Sequence, residues 1–110
     1  MRVVDKRYEP FTRYIGRGSL YGNPFSHLPI GTTKATVQVA TVERAVQCYR
    51  EWLDGNPKWA HMEPERRLRI LAAIPYFREE EVLGCYCRPR HVCHGDVLVE
   101  LWQQLKEAVG

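Results

Sequence analysis

The stretch GRGSLYGNPF, residues 16–25, places three glycines and a proline in ten consecutive positions. Pro24 removes a backbone donor and the glycines weaken any regular element, so this stretch is neither a helix nor a central strand. A chain of 110 residues must then build its order from short elements on either side of that loop. RVVDK (2–6) and TRYI (12–15) are rich in β-branched and aromatic residues and read as two short strands, separated by a turn near Glu9 and Pro10.

Beyond the loop, GTTK (31–34) reads as a turn and residues 36–40 as a brief extended piece. Thr41 suits the N-cap of a helix running to about Leu53, with Val42, Ala45, Val46, Tyr49 and Leu53 on one face; Gly55 and Pro57 stop it. Pro64 suits the first turn of a second helix, with Glu63 and Glu65 near its positive end and Leu68, Leu71 and Ala72 as its apolar positions; Pro75 ends or kinks it. VLGCYC (82–87) reads as a short buried strand. A last helix begins near Gly95 or Asp96, with an apolar stripe of Val97, Leu98, Leu101, Trp102, Leu105 and Val109. Alternating strands and helices predict an α/β fold: one small domain, residues 1–110, with a short sheet packed by about three helices.

Composition narrows the class further. With 45% apolar and 26% charged residues the chain is an ordinary globular one. No run approaches the ~18 apolar residues of a membrane span, and the start, MRVVDKRYEP, meets charge too early for a signal peptide. The expectation is a cytoplasmic protein with no membrane partner, whose cysteines 48, 85, 87 and 93 are thiols or metal ligands. The net charge of +3 is unevenly spread: residues 1–50 hold eight Lys/Arg against three Asp/Glu, and residues 51–110 eight against ten. The basic excess therefore surrounds the glycine-rich loop, as attraction of a phosphate-bearing partner requires, although a solvated basic face has the same signature.

A glycine-rich loop leaving a strand lets backbone N–H groups point at an anion. Gly16, Arg17, Gly18, Ser19, Gly22 and Asn23 are thus candidate ligand-binding residues, with Arg17 as a bidentate clamp and Arg50, on the following helix, completing the anion site. The G-x-G-x-x-x-G spacing is neither a Walker A loop nor a dinucleotide fingerprint. A plain surface turn ending at Asn23-Pro24, with Phe25 turned inward, reads equally well.

CYCRPRHVCHGD (85–96) gathers three of the four cysteines and two of the four histidines. One reading is a tetrahedral zinc site of Cys85, Cys87, Cys93 and His94, with His91 as a substitute, although C-x-C followed by adjacent Cys-His departs from paired C-x-x-C spacing. Another is catalytic. A helix N-terminus with Arg88 and Arg90 nearby favours the Cys93 thiolate, His94 serves as acid or base, and Asp96 orients it or caps the helix. A third is structural, with Cys85 and Cys87 small buried apolar groups and His94-Gly95-Asp96 a helix start; Cys48, inside a helix, reads as structural in any case.

Together, YIGRGSLYGNPF, AVQCYREWL and LGCYCRPRHVCHGDVL resemble a domain family of unassigned activity found in bacteria and their phages. Its members are short proteins built around Y-I-G-R…G-N-P-F and C-x-C-x-P…C-H-G-D-V-L. The resemblance covers residues 3–105 and carries onto Tyr14, Gly16, Arg17, Gly22, Asn23, Pro24 and Phe25, onto Tyr49 and Arg50, and onto Cys85, Cys87, Pro89, Cys93, His94, Gly95 and Asp96. This chain departs in having Tyr86 where the family has Trp, and in a longer spacing from proline to cysteine. The resemblance implies that both motifs matter and that the setting is a bacterial or phage cytoplasm.

Three functions follow as expectations. The first is binding, or acting on, a nucleotide or other phosphorylated small molecule. The second is a zinc-stabilised nucleic-acid-binding module using Tyr8, Phe11, Tyr14 and Tyr21. The third is a phage protein that binds a host protein through Trp52, Trp59 and Trp102.

Overall fold

The structure is a computed structural model describing residues 1–86 and 92–109. Four short strands precede the first helix: β1 (Arg2–Asp5), β2 (Arg13–Tyr14), β3 (Phe25–Ser26) and β4 (Val37–Gln38). They are followed by α1 (Val42–Leu53), α2 (Pro64–Ala73), β5 (Val82–Cys85) and α3 (His94–Val109), with 3-10 turns at Pro57–Trp59 and Ile74–Tyr76. The chain is a mixed α/β domain, with three helices packed around a small parallel sheet.

β5 lies between β1 and β2 and pairs with both in parallel, Arg2 opposite Val82 and Arg13 opposite Leu83. A strand in that position is covered on both faces, and Leu83, Gly84 and Cys85 are accordingly buried. β3 and β4 form a separate two-residue parallel pair beside the glycine-rich loop. Beside β2, Arg13 holds the buried Glu81 with Nε and Nη2 and lies over the Phe77 ring, tying β2 to the entry of β5.

α1 starts as the sequence predicts, with the Thr41 hydroxyl accepting from Arg44 N–H. Its buried face is rotated from the predicted one. Cys48 and Trp52 are sealed beside Ala45, Tyr49 and Leu53, whereas Val42 and Val46 are only half-buried because they line a cleft. In α2 the predicted apolar positions fail more plainly. Leu68 is 60% exposed and Ala72 is exposed, and the buried pair is Ile70 with Ile74 one turn on. Polar anchors hold this helix: Arg67 donates to the carbonyls of Trp52 and Leu53 at the end of α1, and Arg66 donates to those of Leu20 and Gly22. β5 ends at Cys85, two residues before the predicted end at Cys87, and Tyr86 already lies outside the strand; Cys87 itself lies outside the described residues.

Gly95 lets α3 meet the sheet. A Cβ at this position would stand 2.7 Å from Ile15 Cδ1 and 3.0 Å from both Val3 methyls. Gly95→Ala is therefore expected to cost about 1–3 kcal/mol through overpacking. Urea unfolding checks it: the midpoint falls while the slope stays constant. An unchanged midpoint would show that the α3–sheet contact is looser than these distances imply.

Candidate functional site

The glycine-rich loop is no exposed turn, since residues 21–26 are all buried. Backbone carbonyls taken into a core need donors, and here most come from side chains. Arg17 Nε donates to Asn23 O at 3.1 Å and Nη2 to Phe25 O at 2.8 Å. Ser19 Oγ donates to Gly16 O, the Tyr14 hydroxyl to Arg17 O, and the Tyr49 hydroxyl to Tyr21 O. Asn23 accepts from Phe25 N–H and donates to Ala45 O on α1. Gly22 is needed where the loop folds on itself, for a Cβ there would lie 2.9 Å from Arg17 Cα; Gly18 adopts φ +98°. The residues predicted to hold a ligand thus first hold the loop.

On one side of this loop lies a cavity of about 290 Å³ lined by Arg17, Gly18, Ser19, Gly22, Asn23, Lys34, Thr36, Glu63 and Arg66. Three cations from three segments meet there: Arg17 in the loop, Lys34 in the following turn and Arg66 on α2. Lys34 sits over Gly18, 3.4 Å from where a Cβ would be, and has no carboxylate partner among the described residues. Arg66 is shared between Glu63 and the loop carbonyls. Glu63, at the rim, carries a left-handed φ of 36°, a strained conformation for a non-glycine residue. Arg50 is elsewhere: it pairs with Glu100 and ties α1 to α3 instead of completing the anion site.

Arg17 and Asn23 also border a second cavity, of about 210 Å³, lined on its far side by Ser26, His27, Val42, Val46, Tyr86, Val92 and His94. The two sequence motifs therefore meet. His94 makes the junction, with Nε2 2.6 Å from Ile15 O at the entry to the loop. A carbonyl only accepts, so Nε2 carries the proton. Burial pushes the imidazole below its ordinary range, outweighing the opposing effect of that hydrogen bond, and leaves it neutral with Nδ1 unprotonated. Nδ1 faces Cys93 Sγ at 3.7 Å, and Cys85 Sγ lies 3.0 Å from the same sulfur.

Cys93 is the residue before α3 and caps it. Its Sγ accepts from Gly95 N–H at 3.4 Å, while the Asp96 carboxylate accepts from Cys93 N–H at 3.3 Å. The sulfur thus takes the N2 donor as an N-cap side chain does, and the N3 carboxylate reaches back to the N-cap N–H as in a capping box. Asp96 has this capping role through the Cys93 backbone N–H, and its charge also acts on the His94 imidazole, against the effect of burial. Among the described residues no group of three or more His, Cys, Asp or Glu side chains is arranged to hold a metal ion. The proposed zinc ligand Cys87 lies outside those residues, as do Arg88, Arg90 and His91.

The stacking candidates divide. Tyr21 is buried edge-to-face on Phe77, whereas Tyr8 is 77% exposed and Phe11 and Tyr86 lie at the surface around Lys6. The tryptophans face inward, each with its indole N–H bonded: Trp52 to Met62 O, Trp59 to Glu51 and Trp102 to Phe77 O. Sequence reasoning missed Lys34 and Arg66 as site residues. Lys34 belonged to the basic excess near the loop, but no local pattern singled out Arg66.

Compared with known families, residues 2–104 match the model for the Domain of unknown function (DUF4326). No curated protein and no solved structure matches the chain.

The buried neutral His94 sets a pH response. Its folded-state proton affinity is depressed, so its contribution to stability is full above the unfolded value near 6.5 and is lost as pH falls below it. Melting temperature is expected to drop between about pH 7 and about pH 5, and His94→Gln to flatten that slope. Equal slopes in the two proteins would place the imidazole in water.

Proposed function

We propose that this chain, which belongs to the DUF4326 family by a match spanning residues 2–104, binds a phosphorylated small molecule of the nucleotide class in the cavity between the glycine-rich loop, Lys34 and α2. The observation that carries this reading is the convergence of Arg17, Lys34 and Arg66, from three separate segments, on one cavity walled by glycine backbone. Clustered cations repel one another, and an anion offsets that repulsion; guanidinium groups match phosphate oxygens well. Gly18 and Gly22 keep side chains out of the way and let a phosphate approach the backbone. A cavity of about 320 Å³ lined by Tyr14, Gly16, Arg17, Thr33, Lys34 and Tyr86 shares two of these cations and offers aromatic surface to the rest of such a ligand. No helix among the described residues is long and apolar enough to cross a membrane, and the reading places the chain in the cytoplasm, where such ligands are.

Thermal melts with pyrophosphate and with a panel of nucleotides test this. A ligand at about 100 times its Kd should stabilise the fold by ~2.7 kcal/mol. Lys34→Ala removes a cation whose side chain makes no ion pair among the described residues and should weaken binding roughly tenfold without lowering the ligand-free melting temperature. No shift with any phosphorylated compound at millimolar concentration would refute the reading.

The surface patch favours a second reading, binding of single-stranded nucleic acid. Lys6 Nζ lies 4.7 Å from the Tyr14 ring centroid and 5.1 Å from that of Tyr86, and the Arg7 guanidinium packs over Tyr8 and Tyr86, so exposed rings and cations alternate along one edge. Such an edge suits stacked bases and their phosphates. Affinity for an oligonucleotide should then fall steeply with salt and weaken on Tyr8→Ala; salt-independent binding excludes it.

A further inference from the structure

We propose that Cys85 and Cys93 form a peroxide-reactive dithiol, in which Cys93 is the attacking sulfur, Cys85 the resolving one and His94 the proton acceptor. The inference stands apart from the phosphate cavity and rests on how the fold joins the end of its central strand to the start of its last helix. Cys85 closes β5 and Cys93 precedes α3, eight residues later, yet their sulfurs are 3.0 Å apart, inside van der Waals contact. With Nε2 of His94 engaged by Ile15 O, its Nδ1 lies 3.7 Å from Cys93 Sγ and is placed to accept, and Gly95 N–H points at the same sulfur. A thiolate forming at Cys93 would therefore have a base to take its proton and a helix N-terminus to hold its charge. Cys48, equally buried, sits in the middle of α1: burial pushes its thiol up, and no imidazole among the described residues acts on it.

Both sulfurs are inside the core, which suits an oxidant as small as hydrogen peroxide. Val92 and His94 on either side of Cys93, and Tyr86 beside Cys85, line the 210 Å³ cavity, which brings its space to within one residue of each sulfur. Cys93 passes its proton to His94 Nδ1 and its sulfur attacks one peroxide oxygen. An S–O bond forms, the O–O bond breaks, and the departing hydroxide takes the proton back from His94 as water. The Cys85 sulfur then attacks Cys93 Sγ; the S–S bond forms, the S–O bond breaks, and hydroxide leaves with the Cys85 proton as a second water. One peroxide is reduced and two thiols are oxidised.

The test uses the full chain, fully reduced, treated with one equivalent of hydrogen peroxide, alkylated under denaturing conditions and mapped by mass spectrometry. The expected product has lost two hydrogens, carries a Cys85–Cys93 disulfide and retains an alkylated Cys48. Cys85→Ser should stop at the sulfenic acid, trapped at Cys93 by dimedone, which keeps the assignment testable if Cys93 variants fail to fold. Oxidation of Cys48 as fast as Cys93, a disulfide joining Cys87 to either partner, or stoichiometric zinc held by both sulfurs in the isolated protein would each overturn the proposal.

Discussion

A buried loop is a problem of unpaired carbonyls, and the rest of this fold is arranged around solving it. Regular elements pair their own backbone; residues 16–24 form no helix or strand, because glycine and Pro24 disfavour both, yet most of them lie in the core with the β3 residues that follow. Donors are brought from elsewhere: two from Arg17, two from Arg66 on α2, hydroxyls from Tyr14, Ser19 and Tyr49, and the imidazole of His94 at the carbonyl of Ile15 where the loop begins. Each is worth only ~1 kcal/mol net, but leaving such a carbonyl unmet would cost ~1–3 kcal/mol, so the set is retained as a whole.

That arrangement also explains why cations collect beside the loop. Arg17 and Arg66 are there to supply donors, and a guanidinium has five of them in a planar fork. The cavity between them and Lys34 gathers positive charge as a by-product of holding the loop. The phosphate reading and the structural reading of the sequence are therefore compatible: the same side chains fix the backbone and present charge to the space beside it. On the other side of the loop, His94 carries the link onward, since its second nitrogen faces Cys93 and the cysteine caps α3.

Much of the helical framework was legible because its signals are local. Thr41 as N-cap, Gly55 past the end of α1 and Pro64 in the first turn of α2 each act within one turn of the chain, and each stands where the sequence puts it. Faces were less legible. In α2 the repeat of Leu68, Leu71 and Ala72 pointed to a packed stripe, but Ile70 and Ile74 are buried, because Arg66 and Arg67 set the rotation of the helix by reaching carbonyls in two other segments. Periodicity cannot register contacts of that kind. Arg50 was drawn toward the loop by its place on the next helix, and Glu100, fifty residues on, holds it instead.

Near-neighbour physics alone was enough to say that residues 16–25 would hold no helix and no central strand, that short strands and about three helices would surround them, and that His94, Gly95 and Asp96 would stand at a helix start. Those features follow from φ restrictions, missing donors and capping, which operate between near neighbours. Only the tertiary structure decided that the loop is buried, that Arg66 and Lys34 join Arg17, and that Cys85, Cys93 and His94 form one contact beneath it. The reason is the insertion of β5 between β1 and β2, parallel pairings across eighty and seventy residues that no local pattern encodes.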